Sequence, residues 1–269
     1  MDRARPTPPE GAASRAADDG GDDLLVREEP LWIEVEDQRV LTMRTPGADA
    51  DLALGFLLGE GVIRDARAVT SIVCERGDAA ALRPDTARVT IADPTAAKIA
   101  GRLTRTHEIR PSCGICGLVD VDQMLDELEA LLPGVPKLDR GELEARRQAF
   151  ERSQPLFDVN GACHGAMLFA PDGSVIGRGE DVGRHNALDK AIGAAARDGH
   201  PLTQATAFLS GRAGFDLVLK CLRVRIPVIL AVSAPSALAF DLCQSSGATL
   251  VGFVRPGRAK VYCAGGRIR

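Results

Sequence analysis

The chain has 269 residues, enough for one large domain or two small ones and for a substantial buried core. It is 45% apolar and 26% charged with a formal net charge of −4, an ordinary soluble balance that argues against gripping bulk nucleic acid through an overall field. Charge is uneven: residues 1–23 carry three Arg against six Asp/Glu, whereas 250–269 carries five Lys/Arg and no acid. Such a basic end suits a small anionic ligand better than a duplex, and the plainer alternative is a solvated tail. No run approaches the ~18 apolar residues of a membrane span. Residues 1–23, rich in Ala, Pro, Gly and Asp, lack the apolar region of a secretory signal and read as a disordered leader, so the expected compartment is the cytosol. The cysteines number seven, and Cys221 and Cys243 fall in apolar helical patterns. A disulfide framework is not expected, so paired cysteines read as metal-binding or reactive.

In chain order, residues 31–35 and 40–43 read as a strand hairpin turning at Asp37-Gln38. Residues 50–63 read as a helix that starts from the Pro46-Gly47 turn. Strands are expected at 71–74 and 87–91, then a loop at 110–117 and an amphipathic helix over 120–132, stopped by Pro133, Gly134 and Pro136. A charged helix follows at 140–152. The second half alternates: strand 163–170, turn 171–173, strand 174–178, a helix capped by Asp181 and running to 197. Strand 206–209, helix 215–223, strand 227–232, helix 236–243 and strands 250–254 and 260–263 complete it. This rhythm implies an α/β layer of parallel neighbours covered by helices. The expected division is a leader at 1–23, an N-terminal α+β part at 24–110, a thiol loop with helices at 111–155 and a C-terminal α/β part at 156–269.

The sharpest local feature is Cys113-Gly114-Ile115-Cys116-Gly117. Two cysteines three apart can share a metal, form a reversible disulfide or pass a sulfur atom, and the glycines free the backbone so that its N–H groups can stabilise a thiolate. A structural zinc site needs four ligands, and no second such pair exists. A thioredoxin-like motif stands at a helix start early in a βαβ unit, whereas a long segment precedes this one. Zinc deaminases combine H-x-E with P-C-x-x-C; Pro111-Ser112-Cys113 has one residue too many, and His107-Glu108 is adjacent rather than spaced.

A second constellation falls where strands hand over to helices. Residues 179–186 lead into a helix on which His185 and Asp189 are four apart, on one face. Residues 210–214 and 233–236 follow the next two strands. Hydroxyls and free N–H groups at such junctions suit phosphate, and in an open parallel sheet they gather on one edge. Arg184 and Arg212 would add charge there. Each segment alone reads equally as a helix cap or a structural histidine. The stretch Phe253, Val254, Arg255, Pro256, Gly257, Arg258 places two guanidiniums around a turn, suited to anions, or is an ordinary Pro-Gly hairpin. Cys163-His164 is a further candidate, with a strand-edge pair as its plain alternative.

Together these residues resemble the formate dehydrogenase accessory sulfurtransferase family, FdhD. The likeness covers nearly the whole chain after the leader. It rests on 29–31 (EPL), 43–47 (MRTPG), 51–56 (DLALGF) with 59–61 (GEG), 112–117 (SCGICG), 179–190 (GEDVGRHNALDK), 210–212 (SGR) and 233–236 (SAPS). The resemblance implies a cytosolic sulfur carrier that takes sulfane sulfur from a cysteine desulfurase and delivers it to the molybdenum (or tungsten) bis(molybdopterin guanine dinucleotide) cofactor, as formate dehydrogenase activity requires. It further implies a cytidine deaminase-like layered sheet with a smaller N-terminal α+β part, a homodimer, a guanine-nucleotide-like pocket and no structural metal. By motif, Cys113 forms the persulfide, Cys116 is its partner in a role left open, and Phe253 to Arg258 match the cofactor-binding stretch. His185, Ser210 and Arg212 are added as ligand contacts from the junction argument. The competing readings are a zinc-dependent deaminase-like hydrolase and a non-enzymatic cofactor-binding chaperone.

Overall fold

The structure, a computed structural model, describes residues 8–16, 21–78, 81, 83–94 and 128–269. Among them the strands are β1 (Ala12–Ala16), β2 (Asp22–Val26), β3 (Glu29–Val35), β4 (Gln38–Arg44), β5 (Val69–Glu75), β6 (Asp85–Ile91), β7 (His164–Phe169), β8 (Val175–Asp181), β9 (Thr206–Leu209), β10 (Val228–Ala231), β11 (Thr249–Arg255) and β12 (Arg258–Cys263). The α-helices are α1 (Asp49–Gly59), α2 (Arg140–Glu151), α3 (Pro155–Asn160), α4 (Arg184–Arg197), α5 (Phe215–Arg223) and α6 (Ala237–Ser246). No helix among the described residues is long and apolar enough to cross a membrane.

The N-terminal sheet has the order β4-β3-β6-β5, with β3 and β6 parallel and the other pairs antiparallel. Alternation along β3 buries Leu31, Ile33 and Val35 on one face, and α1 lies in the same apolar cluster. Arg44, fully buried at the end of β4, donates to Asp49 at the start of α1 (2.9 Å) and to Asp85 at the start of β6 (2.5 Å), so one guanidinium ties three elements.

The second sheet has the order β12-β11-β10-β9-β7-β8. Its inner strands β9 and β10 are buried along their whole length because both faces are covered. Along β7, Ala166 and Leu168 join the cluster shared with α1, α4 and α5, while Met167 and Phe169 join Phe150 of α2 and Phe208 on the other face. The α2 helix begins at a full capping box: Asp139 accepts from Glu142 N (2.8 Å) and Glu142 accepts from Asp139 N (2.7 Å).

The two sheets are joined by the crossing of α1 over α4. A Cβ on Gly55 would lie 1.8 Å from the Asp189 carbonyl oxygen, and one on Gly193 would lie 1.9 Å from that of Asp51. The helix backbones touch at both points, so only glycine fits. Beside the crossing, Lys220 of α5 is buried between Asp189 of α4 (2.9 Å) and Glu60, the residue after α1 (2.8 Å). Burial opposes charge on Lys220, but the two carboxylates outweigh it and raise its pKa.

The mixed α/β class with a smaller N-terminal α+β part holds. Three expectations are corrected. In the six-stranded sheet only β9, β10 and β11 are parallel neighbours; β7, β8 and β12 run antiparallel to theirs, because tight turns reverse the chain before β8 and β12 and β7 enters next to β9 against its direction. Residues 12–16, expected in the leader, pair with β2 as a hairpin, since Ala12 is buried and Gly11 packs on Thr45 and Leu156. Asp181 is not a helix cap but the last residue of β8. It is fully buried, accepting from Thr45 N (3.0 Å) and Gly183 N (2.9 Å) and pairing with Lys190 (2.7 Å). The expected helix at 120–132 lies outside the described residues up to 127, and 128–132 are not helical.

The crossing yields a prediction: Gly193→Ala forces α4 off Asp51 and destabilises the protein by about 3 kcal/mol or more, the upper end of overpacking costs. Thermal melting checks it, with Gly199→Ala as a control, since nothing lies within 4 Å of that position although its positive φ carries its own small strain.

Candidate functional site

Because β7 is antiparallel to both β8 and β9, its first residue lies on the edge where β8 and β9 end: His164 pairs with Asp181, and Ala166 with Leu209. The ends of the parallel strands β10 and β11 reach the same edge. Three of the sequence-derived junctions are thus brought together, and hydrogen bonds lock them. Ser210 N donates to Gly165 O (3.0 Å), Gly165 N donates to Ser210 Oγ (3.0 Å), Ser236 N donates to Ala213 O (3.0 Å) and Phe253 N donates to Ser233 O (3.1 Å).

The individual side chains divide by what already occupies them. The Ser210 hydroxyl accepts from Gly165 N and lies 3.3 Å from His164 Nδ1, so it holds the junction shut. Ser236 caps α6 by accepting from Ala239 N (3.2 Å). By contrast α4 and α5 start at Gly183 and Gly214 with no side-chain cap, leaving first-turn N–H groups open at this edge. Arg184 and Arg212 stand beside those two helix starts, exposed and without an ion-pair partner among the described residues. The edge is therefore electropositive and its donors are free.

His185 opens α4 with its Nε2 3.9 Å from Asp216 on α5. Burial, then Lys220 and Arg184, pull its pKa down to about 4, so the imidazole is neutral near pH 7. Asp189, four residues on, faces Lys220 instead and does not act with His185. His164 is likewise shifted down, by burial and then Arg184.

The stretch Phe253 to Arg258 forms the end of the β11–β12 hairpin. Phe253 takes φ +50°, Pro256 and Gly257 make the turn, and the Arg255 and Arg258 guanidiniums lie 6.0 and 5.4 Å from the Phe253 ring centre. Val254 is buried in the core, so it can offer a ligand only its backbone. Arg255 Nε donates to Val232 O (3.3 Å), which holds this hairpin against the end of β10.

Cys113, Cys116 and the loop around them lie outside the described residues. The segment's flanks are placed: Ala92 N donates to Ala68 O (2.8 Å), and Glu129 pairs with Arg225 (3.2 Å) between α5 and β10. Arg267, buried, donates to Leu132 O and Val135 O (both 2.7 Å) and to Gly247 O just before β11. The 129–135 flank thus sits at the starts of the parallel strands, the edge opposite the open helix N-termini. The described thiols are poor nucleophiles. Burial pushes Cys163 up to about 11 and Cys221 up to about 12, and raises Cys74, Cys243 and Cys263 as well. Cys163 is therefore a core residue.

Sequence reasoning missed the Glu60–Lys220–Asp189 group beneath His185. Its signal was available: Lys220 interrupts the run Leu217-Val218-Leu219-Lys220-Cys221-Leu222, and a lysine inside an apolar run must find buried partners.

A family model described as the FdhD/NarQ family matches residues 26–269. A protein of Anaeromyxobacter dehalogenans (strain 2CP-C) named Sulfur carrier protein FdhD is 40% identical over 267 residues, covering 91% of this chain and 88% of that one. A Mycobacterium tuberculosis protein of the same name is 39% identical over 254 residues, covering 91% and 92%. A crystal structure described as a formate dehydrogenase accessory protein from Desulfotalea psychrophila superposes with a TM-score of 0.72 at 27% identity, covering 96% of this chain and 97% of the other.

The depressed His185 pKa gives a signed prediction. A histidine whose folded pKa lies below its unfolded ~6.5 contributes stability that is present above that value and is lost as pH falls through about 4. Chemical-shift titration should place the His185 midpoint near 4, and His185→Gln should flatten the decline in stability between pH 6.5 and 4.

Proposed function

Because this chain belongs to the FdhD/NarQ family, we propose that it is a sulfur carrier of the cytosol that forms a persulfide on Cys113, taking the sulfur from a cysteine desulfurase. Its substrate is the molybdenum or tungsten bis(molybdopterin guanine dinucleotide) cofactor destined for formate dehydrogenase, and it works as a homodimer. The observation that carries the substrate side of this reading is the pair of uncapped helix starts, each beside an unpaired arginine, on one sheet edge. Pyrophosphate groups are the anions such an edge suits: open N–H groups donate to the oxygens and guanidiniums bind them in a forked manner. Arg184 and Arg212 would hold phosphate oxygens, Arg255 and Arg258 would add charge from the neighbouring hairpin, and Phe253 would offer a ring face.

The sulfur side follows from thiol chemistry. The Cys113 thiolate attacks the outer sulfur of the donor persulfide. A new S–S bond forms as the donor's S–S bond breaks, the donor cysteine leaves as thiolate, and no net oxidation occurs. Release of that sulfur as sulfide takes two electrons. Cys116 can supply them by closing a disulfide with Cys113 as HS⁻ departs, or it can assist a direct transfer. The raised thiol pKa values elsewhere in the chain support the assignment to this pair. Cys116 and Leu128 are separated by 128 − 116 = 12 residue steps, which bounds their separation at ~40 Å. The relatives compared above are named as sulfur carrier proteins and a formate dehydrogenase accessory protein, which favours this reading over the deaminase alternative.

Incubation of the protein with a cysteine desulfurase and cysteine should add the mass of one sulfur to the peptide containing Cys113, and Cys113→Ala should abolish both the adduct and formate dehydrogenase activity in cells with no other copy. Absence of an adduct on either cysteine of the intact protein would overturn the reading. On the substrate side, Arg184→Gln and Arg212→Gln should each weaken GDP binding about tenfold, ~1.4 kcal/mol, while leaving sulfur loading of Cys113 unchanged.

A further inference from the structure

The arginines and open helix starts supply the charge of the strand-end edge, but a histidine stands at its centre. His164, the first residue of β7, pairs across the sheet with Asp181, two residues before the Gly183 that starts α4. Its ring lies over Gly211, three residues before the Gly214 that starts α5: a Cβ on Gly211 would be 3.7 Å from both Cε1 and Nδ1. The imidazole therefore sits between the two uncapped helix N-termini. Burial, then the Arg184 charge, hold its pKa below the usual histidine value against the opposing pull of Asp181, so it is neutral near pH 7.

The hydrogen bonds around the ring fix where its one N–H hydrogen sits. Ser210 Oγ accepts from Gly165 N (3.0 Å) and lies 3.3 Å from His164 Nδ1. The hydroxyl thus receives one hydrogen and has its own to give, and Nδ1 is the only acceptor it meets among the described residues. A neutral imidazole carries hydrogen on one nitrogen and a lone pair on the other. With Nδ1 accepting from Ser210, the hydrogen belongs to Nε2. Were Nδ1 the donor, the Ser210 hydrogen would be left without an acceptor. Nε2 has no hydrogen-bond partner among the described residues and is not enclosed by them. The result is an uncharged donor of fixed direction, open to a ligand and flanked by Arg184 and Arg212.

We infer that His164 is a further ligand-binding residue of this edge, its Nε2–H donating to a phosphate oxygen of the bound nucleotide, and that Ser210 is the positioning residue that sets its tautomer. The inference rests on the anion-binding reading of the edge given above. An uncharged donor fits there: a third cation would be repelled by Arg184 and Arg212, whereas a neutral N–H adds direction without repulsion. A phosphate oxygen is the matching atom, since the open helix N–H groups and both guanidiniums around His164 are donors to the same kind of acceptor. The Ser210 hydrogen, committed to Nδ1, is not available to the ligand.

Heteronuclear NMR of the imidazole nitrogens, with calorimetry on pyrophosphate and GDP, tests it on the full-length protein. The chain has four histidines, so each imidazole can be assigned by substitution. His164 should show the Nε2–H tautomer, and its Nε2 signal should move when pyrophosphate is added. His164→Asn keeps an amide at the Nδ1 position and removes the outward donor; it should weaken pyrophosphate and GDP by the same factor, about tenfold, with little change in melting temperature. His164→Gln carries its amide out to the Nε2 position and should recover most of that loss. Ser210→Ala should mix the two tautomers and weaken both ligands, whereas Ser210→Thr, which keeps the hydroxyl, should do neither. The Nδ1–H tautomer in the intact protein overturns the inference, as does unaltered binding by His164→Asn. A Ser210→Ala protein that melts lower but keeps its tautomer and its affinities overturns the positioning role. No binding of either ligand to the intact protein overturns the anion-binding reading itself, and the inference falls with it.

Discussion

Two helix backbones in contact hold this molecule together. Where α1 crosses α4, Gly55 and Gly193 let each helix lay its main chain against a carbonyl of the other, and the two sheets are thereby fixed side by side. The buried Lys220 between Asp189 and Glu60 adds a second condition at the same place, drawing α5 to both helices. A buried ion group of this kind is weak evidence for net stability, since desolvation offsets much of the attraction. Its effect is on alignment: a slide of α1 along α4 would strand a carboxylate or the ammonium without a partner.

The open edge of the large sheet inherits its geometry from that crossing. Asp181, at the end of β8, binds Thr45 N of the N-terminal part and Gly183 N at the start of α4, so the first turn of α4 is set by residues from both halves. Asn186 repeats the tie by donating to Met43 O (2.7 Å). The helix N-terminus that offers its N–H groups at the edge is therefore aimed by side chains buried beneath it, while the arginines that complete the charge remain on the surface.

Much of this was legible in the sequence where a single physical signal dominated. The apolar period of 215–223 marks α5 with no offset at either end, and Pro256-Gly257 marks the β11–β12 turn. The FdhD resemblance rested on ordered motifs, and the family match and relatives bear it out. Strand direction was another matter. Nothing local tells β7 to enter the sheet antiparallel to β9, because that choice depends on which neighbour is free when the layers assemble. The β1–β2 hairpin was missed because Ala12 and Gly11 gain their burial from Thr45 and Leu156, far along the chain. Asp181 looked like a cap by spacing, yet its carboxylate accepts from Thr45 N, far away in the sequence, while also accepting from Gly183 N and pairing with Lys190. At the candidate edge, the clustering of Ser210, Arg212 and His185 followed from junction logic. That Ser210 is already engaged and Val254 already buried did not, since both facts belong to packing rather than to pattern.

Arg267 carries a consequence of its own. Third from the end of the chain, it is buried with no carboxylate partner among the described residues and directs its guanidinium to four carbonyl oxygens, those of Leu132, Val135, Gly247 and Gly265. Leu138 N donates to Arg267 O, and Arg269 N donates to Leu138 O (2.8 and 2.9 Å), so the tail is stitched to the stretch that follows the thiol segment. The carboxyl terminus is thus a fastener rather than a loose end. Clipping three residues from it, or hanging a purification tag there under tension, would unpin a stretch of backbone more than a hundred positions upstream, and fusions are better carried at the other terminus.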